Sequence, residues 1–181
     1  METMFLAAAV TTIPGLLFFL GLPAIAIALA RQPGLSAWRL AAGYVGALAV
    51  LGVLVAATGY VSPEEASRVW HIAPARYWAV LLRDLLNTWV AAAFMAVLGI
   101  SLVGVPALVY LHHRRLATAP NLLLASAGIS LIFGVLAYLA MHWSSNVRFG
   151  ELVLTFLVSH AAMAAGFALA ARLPWAQRLE P

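Results

Sequence analysis

Histidine 160 is the one ionisable side chain that falls deep inside an apolar run. It stands nine residues after Glu151, about 13 Å along a helix at the usual rise per residue. Ionisable groups inside a membrane span are functional candidates by default. With Thr155 and Ser159 nearby, an imidazole at that depth has the chemistry to ligate haem, contact a quinone or relay a proton. It also fits a neutral side chain bonded to a hydroxyl or carbonyl of a neighbouring helix. A bis-histidine haem needs two ligands at similar depth on facing helices. His142, the other candidate cofactor-binding residue, lies at the outer end of its span, about a third of the bilayer away by the same rise, so the two make a poor pair.

A second group of polar side chains gathers near one membrane surface. Arg83 and Asp84 open an apolar stretch, Asn87 follows one turn on, and Trp89 comes next. With Trp70, His71, Trp78 and Glu151 they form a candidate ligand or partner surface able to hold a lipid headgroup or a quinone ring. The plainer alternative is an interfacial anchor whose arginine reaches outward to water. His71, His142, Asp84 and Glu151 are metal-ligand types, but no spacing among them demands a metal.

The clearest periodic pattern is Ser126, Ser130, Gly134, Tyr138 and His142, one residue every four. It makes a small and polar stripe that drifts slowly around a helix. Ala162, Gly166 and Ala170 repeat the spacing further on, and Ala42 with Gly46 does so earlier. Such faces let membrane helices approach closely; a substrate path would use the same residue types. His112-His113-Arg114-Arg115 reads as a charged loop beside a span. No Ser/His/Asp arrangement, phosphate loop or intramembrane carboxylate pair is present. The chain has no cysteine, which removes disulfides, thiolate metal sites and thiol nucleophiles together.

These residues have to be positioned by membrane helices. Of 181 residues 65% are hydrophobic and only 9% charged, where a soluble domain is roughly a quarter charged. About 20 apolar residues suffice to cross the hydrocarbon core. The sequence predicts an all-α integral membrane protein, one polytopic domain with five spans near 5–30, 40–60, 85–111, 121–143 and 151–171, and an outer connector over 61–83. Pro14 and Pro23 predict a kink or break in the first span, and Gly104 with Pro106 predicts one late in the third. In the connector, Ser62-Pro63-Glu64-Glu65 reads as a helix start, with Ser62 as N-cap and Pro63 at the first helical position. A short amphipathic surface helix over 64–70 should follow and end before Pro74. The start, Met1-Glu2-Thr3-Met4, lacks the basic region of a cleaved signal peptide.

All ten basic residues are arginine, which fits a GC-rich bacterial genome. The net charge of +4 does not point to nucleic acid, because the arginines sit in short loops beside apolar spans, where they set topology. Six of them (31, 39, 114, 115, 172, 178) fall on one side and four (68, 76, 83, 148) on the other. The six-side is then cytoplasmic, with the N-terminus outside and the C-terminus inside. No internal repeat is visible, which weakens the usual secondary-transporter plan.

Three functions follow as expectations. The first is a non-catalytic subunit or accessory protein of a bacterial inner-membrane complex, whose partners are the bilayer and other membrane subunits or a second copy. The second is a small transporter, flippase or channel acting as an oligomer. The third is a redox membrane anchor handling haem or quinone. No residue set for any other catalysis is apparent.

Overall fold

The computed structural model describes residues 2–32, 35–71, 73, 76–141 and 148–175, with side chains apart from those of 2–14, 16, 69, 70, 140 and 141. Within these the chain forms helices α1 (Glu2–Leu29), α2 (Ala37–Gly59), α3 (Pro63–Trp70), α4 (Tyr77–Gly99), α5 (Val105–His113), α6 (Ala119–Met141) and α7 (Phe149–Ala170), with a π-helical segment, Ile100–Gly104, between α4 and α5. An isolated bridge between Gln32 and Leu35 closes the turn after α1. Among the described residues four helical segments are long and apolar enough to cross a membrane: Ala37–Gly59, Tyr77–His113, Ala119–Leu139 and Phe149–Ala170. The chain is an all-α membrane protein. Helix α1 has 28 residues, and its apolar part with described side chains is Leu17–Leu29.

Neither predicted interruption is a break. Helix α1 runs unbroken through Pro14 and Pro23. A proline forfeits a single backbone hydrogen bond, whereas ending the helix in hydrocarbon would strand several. The third span is likewise continuous over Tyr77–His113. Proline 106 cannot donate to the carbonyl four residues back, and the helix answers by widening: the Val105 N–H bonds the Ile100 carbonyl, five residues back. One extra residue in the turn absorbs the clash that would otherwise kink the rod.

The connector is shorter than predicted, because α4 starts at Tyr77 and not near Leu85. Tyr77 is buried with Ala66 and Leu81, and its hydroxyl donates to the Val61 carbonyl. This small cluster clamps α3 to the head of α4, so Trp78, Arg83, Asp84 and Asn87 lie on the first turns of a helix. Helix α3 itself forms as its cap residues dictate: the Ser62 hydroxyl accepts from the Glu65 N–H at 3.2 Å, with Pro63 in the first turn. His71 stops it in the left-handed region at φ 53°.

Helix α2 is central. Leu40, Gly43, Tyr44, Ala47, Leu51 and Val55 are its buried residues, a stripe at helical spacing that meets α7 and α4. At the α2–α7 crossing Gly46 and Gly166 bring the two backbones together. A Cβ added at Gly46 would lie 2.5 Å from the Gly166 carbonyl oxygen, and one at Gly166 would lie 2.6 Å from Val50 Cγ2. The crossing is locked at its end by Arg39, whose Nε donates to the Ala171 carbonyl at 2.8 Å and whose guanidinium also reaches the Arg172 carbonyl. A cation is thereby held at the negative end of the α7 dipole. Against α4, the Trp89 indole donates to the Leu48 carbonyl at 3.3 Å, over Gly52, whose missing side chain makes the room.

Contacts between chain segments gather several of the basic loops at one end of the bundle. Besides Arg39 on Ala171 and Arg172, Gln32 Nε2 meets His113 Nε2 at 3.1 Å and the Ala119 N–H donates to the Pro174 carbonyl at 2.8 Å.

Candidate functional site

The polar stripe of α6 faces α7. The Ser126 hydroxyl donates to the His160 backbone carbonyl at 3.1 Å, and the Ser130 hydroxyl folds back onto the Ser126 carbonyl at 2.6 Å. A side chain at Gly134 would meet Val153 at 3.3 Å. Tyr138 stands edge-on to Phe149, ring centroids 5.0 Å apart. The fifth residue of the stripe, His142, lies outside the described residues. Small residues at every fourth position thus let α6 and α7 run side by side, while Gly166, one turn beyond, turns to α2.

On the other flank of α6 the helices part. Helices α4 and α6 share no extensive contact, and between them and α7 lies a cavity of about 560 Å³. Helix α4 and the π segment give one wall, including Met95, Gly99 and Leu102. Helix α6 gives Ser126, Ile129 and Phe133, and α7 gives Phe156, His160 and Met163. Every lining side chain is apolar except Ser126 and His160. Met95, Leu102 and Phe133 also stay exposed on the outside of the bundle, at 67%, 62% and 44%. The cavity therefore opens sideways between α4 and α6, at mid-helix depth, toward what in a bilayer is hydrocarbon.

The π segment shapes this wall. Its Ser101 is turned away from the cavity into the core, where its hydroxyl shares a 2.8 Å hydrogen bond with the Tyr44 hydroxyl. Tyr44 in turn stands edge-on to Phe167. The polar group is satisfied internally, and glycines 99 and 104 face the void: a Cβ at Gly99 would meet nothing within 4 Å.

His160 sits midway along α7. Its Nδ1 lies 2.8 Å from the Phe156 carbonyl oxygen of its own helix, and the Phe156 ring lies nearly parallel to the imidazole at a centroid distance of 5.6 Å. The other ring nitrogen has no hydrogen-bond partner among the described residues.

The group around Arg83 is arranged differently. Arg83 Nε and Asp84 Oδ1 are 3.2 Å apart, and Arg148 lies 3.6 Å from Glu151, both pairs well exposed. Ion pairs so exposed stabilise little. Asn87, His71 and Trp78 are exposed as well, with Trp78 edge-on to Tyr77 at 4.9 Å. Trp70 ends α3, and its side chain lies outside the described ones. Among the described residues no cluster of histidine and acidic side chains able to hold a metal ion forms. Trp89, which sequence spacing put beside this group, points instead into α2.

The structure thus brings Ser126 and His160 to one cavity and leaves Arg83, Asp84, Asn87, His71, Trp78 and Glu151 on an open surface. Sequence reasoning missed the aromatic walls, Phe133, Phe156 and Phe167, because nothing in their spacing distinguishes them from lipid-facing residues. Comparison with protein-family models, characterised proteins and solved structures yields no match.

Proposed function

We propose that the chain is a non-catalytic membrane protein that holds one lipid-soluble small molecule, drawn sideways from the bilayer core, in the cavity over His160. The observation that carries this reading is the cavity itself: mid-membrane, laterally open, apolar, with two convergent polar side chains. Its volume falls within the roughly 300–1,000 Å³ typical of small-molecule sites, which pair apolar walls with a few placed polar groups. Of the three expected functions, this is nearest to the quinone-handling anchor.

In this reading the chain crosses a bacterial inner membrane five times, α1 included. The end bearing Arg31, Arg39, Arg114, Arg115 and Arg172 is cytoplasmic and the N-terminus is outside. The exposed outer group of Trp78, Arg83, Asp84 and Glu151 supports a second, compatible role as an accessory subunit, with that surface meeting another membrane protein. Purification in mild detergent with copurification analysis tests this role; a partner lost on Arg83→Ala supports it, and a lone chain throughout contradicts it.

Native mass spectrometry of the purified chain tests the ligand-holding reading. Wild type should carry a lipophile at one per chain, and Ala164→Phe, which fills the cavity from α7, should lose it. Identical adducts on both proteins would contradict the reading.

A further inference from the structure

The hydrogen-bond directions around the cavity say what kind of molecule it takes. A backbone carbonyl can only accept, so the 2.8 Å contact between His160 Nδ1 and the Phe156 carbonyl places the ring proton on Nδ1. In the neutral imidazole the other nitrogen, Nε2, then carries a lone pair and no proton. No acidic side chain lines the cavity to accompany a charged ring. Ser126 is committed in the same sense: its hydroxyl hydrogen goes to the His160 carbonyl at 3.1 Å, which leaves its oxygen only lone pairs to offer. Both polar side chains of the cavity are therefore acceptors toward anything inside it.

A ligand carrying only carbonyl or ether oxygens would bring lone pairs to lone pairs. One carrying an O–H would find partners, in surroundings where an unmade hydrogen bond is costly. The walls add a shape requirement. Phe133, Phe156 and Phe167 line the space, and aromatic faces favour a flat ring in offset or edge-on contact.

We infer that the cavity selects a lipophile with a hydroxyl-bearing aromatic ring, of the phenol or hydroquinone class, over its carbonyl or ether counterpart. This rests on the ligand-holding reading above and adds to it the polarity of the recognised group.

The test uses a redox-inert pair, 4-decylphenol and 4-decylanisole, which differ by the methyl group that removes the donor. Binding of each to the detergent-purified full chain is measured by isothermal titration calorimetry. The phenol should bind about tenfold more tightly, the ratio that one retained buried hydrogen bond supplies. In His160→Phe the preference should fall to about threefold or less while the anisole still binds. Ser126→Ala, which leaves the imidazole in place, should lower the preference by a smaller factor and guards against a folding defect in the first variant. Equal binding of the two probes to wild type, or tighter binding of the anisole, overturns the inference and leaves the ligand-holding reading standing. Binding of neither probe overturns both. A preference unchanged in both variants overturns the assignment to His160 and Ser126.

Discussion

The two flanks of the bundle use the same small residues to opposite ends. Where α2 crosses α7, glycines 46 and 166 let two backbones touch, and a single Cβ has no room. Where α4 passes α6, Gly99 and its alanine neighbours face a void of about 560 Å³. In water such a void would tend to collapse, because apolar surface would be removed from solvent. In hydrocarbon that drive is absent, and helices associate through packing and hydrogen bonds instead. Small residues therefore mean close contact only where a partner helix is brought to them, as Arg39 joins α2 to α7, Trp89 joins α4 to α2 and the Ser126 hydroxyl joins α6 to α7.

The sharpest way to break the comparison is to make the same substitution on both flanks. Gly46→Ala places a methyl group 2.5 Å from the Gly166 carbonyl oxygen and should destabilise the protein by roughly 1–3 kcal/mol, the usual cost of overpacking. Gly99→Ala meets open space and should be neutral or stabilising, by up to about 1 kcal/mol from helix propensity. Thermal unfolding in detergent reads both, and equal effects would erase the distinction between the flanks.

The Tyr44–Ser101 pair offers a smaller test, since it ties the π segment to α2 and so holds the cavity wall in place. Tyr44→Phe leaves the Ser101 hydroxyl without its partner and should cost about 1 kcal/mol. Adding Ser101→Ala should recover part of that loss, because removing both partners is cheaper than orphaning one. Equal unfolding temperatures for Tyr44→Phe and wild type would mean that the bond does not hold the wall. The smallest expected effect is that of Ser126→Ala on stability, about 0.6 kcal/mol, typical of a hydrogen bond between membrane helices. Its larger consequence should be on ligand preference.

Much of this fold was legible in the residues, and the illegible part has a physical cause. The apolar helical character of the chain, the Ser62 cap and the first four residues of the α6 stripe are local patterns that appear where their chemistry places them, whereas the third span starts eight residues before its expected beginning because Tyr77 packs against α3. The prolines could be read only in part: Pro106 signals a disturbance, and the α-helix does give way to the π segment just before it, but the residue does not say whether the helix breaks or widens; the surrounding hydrocarbon decides for widening. Arg39 looked like a topology signal alone, and its grip on the α7 terminus depends on a residue 132 positions away. His160 could be singled out by depth. That its ring would look into a cavity depends on the spacing between α4 and α6, which no run of residues encodes locally.

The central claim is that the α4–α6 flank is a ligand site while the α2–α7 flank is structural. Photolabelling in liposomes tests it most directly, with a diazirine-bearing alkylphenol and peptide mapping by mass spectrometry. Labels should concentrate on the segments around Leu102, Ile129 and Phe156, diminish with excess unlabelled 4-decylphenol, and disappear in Ala164→Phe. Labelling spread evenly over the exposed faces of all the helices, unaffected by competitor or by Ala164→Phe, would contradict it.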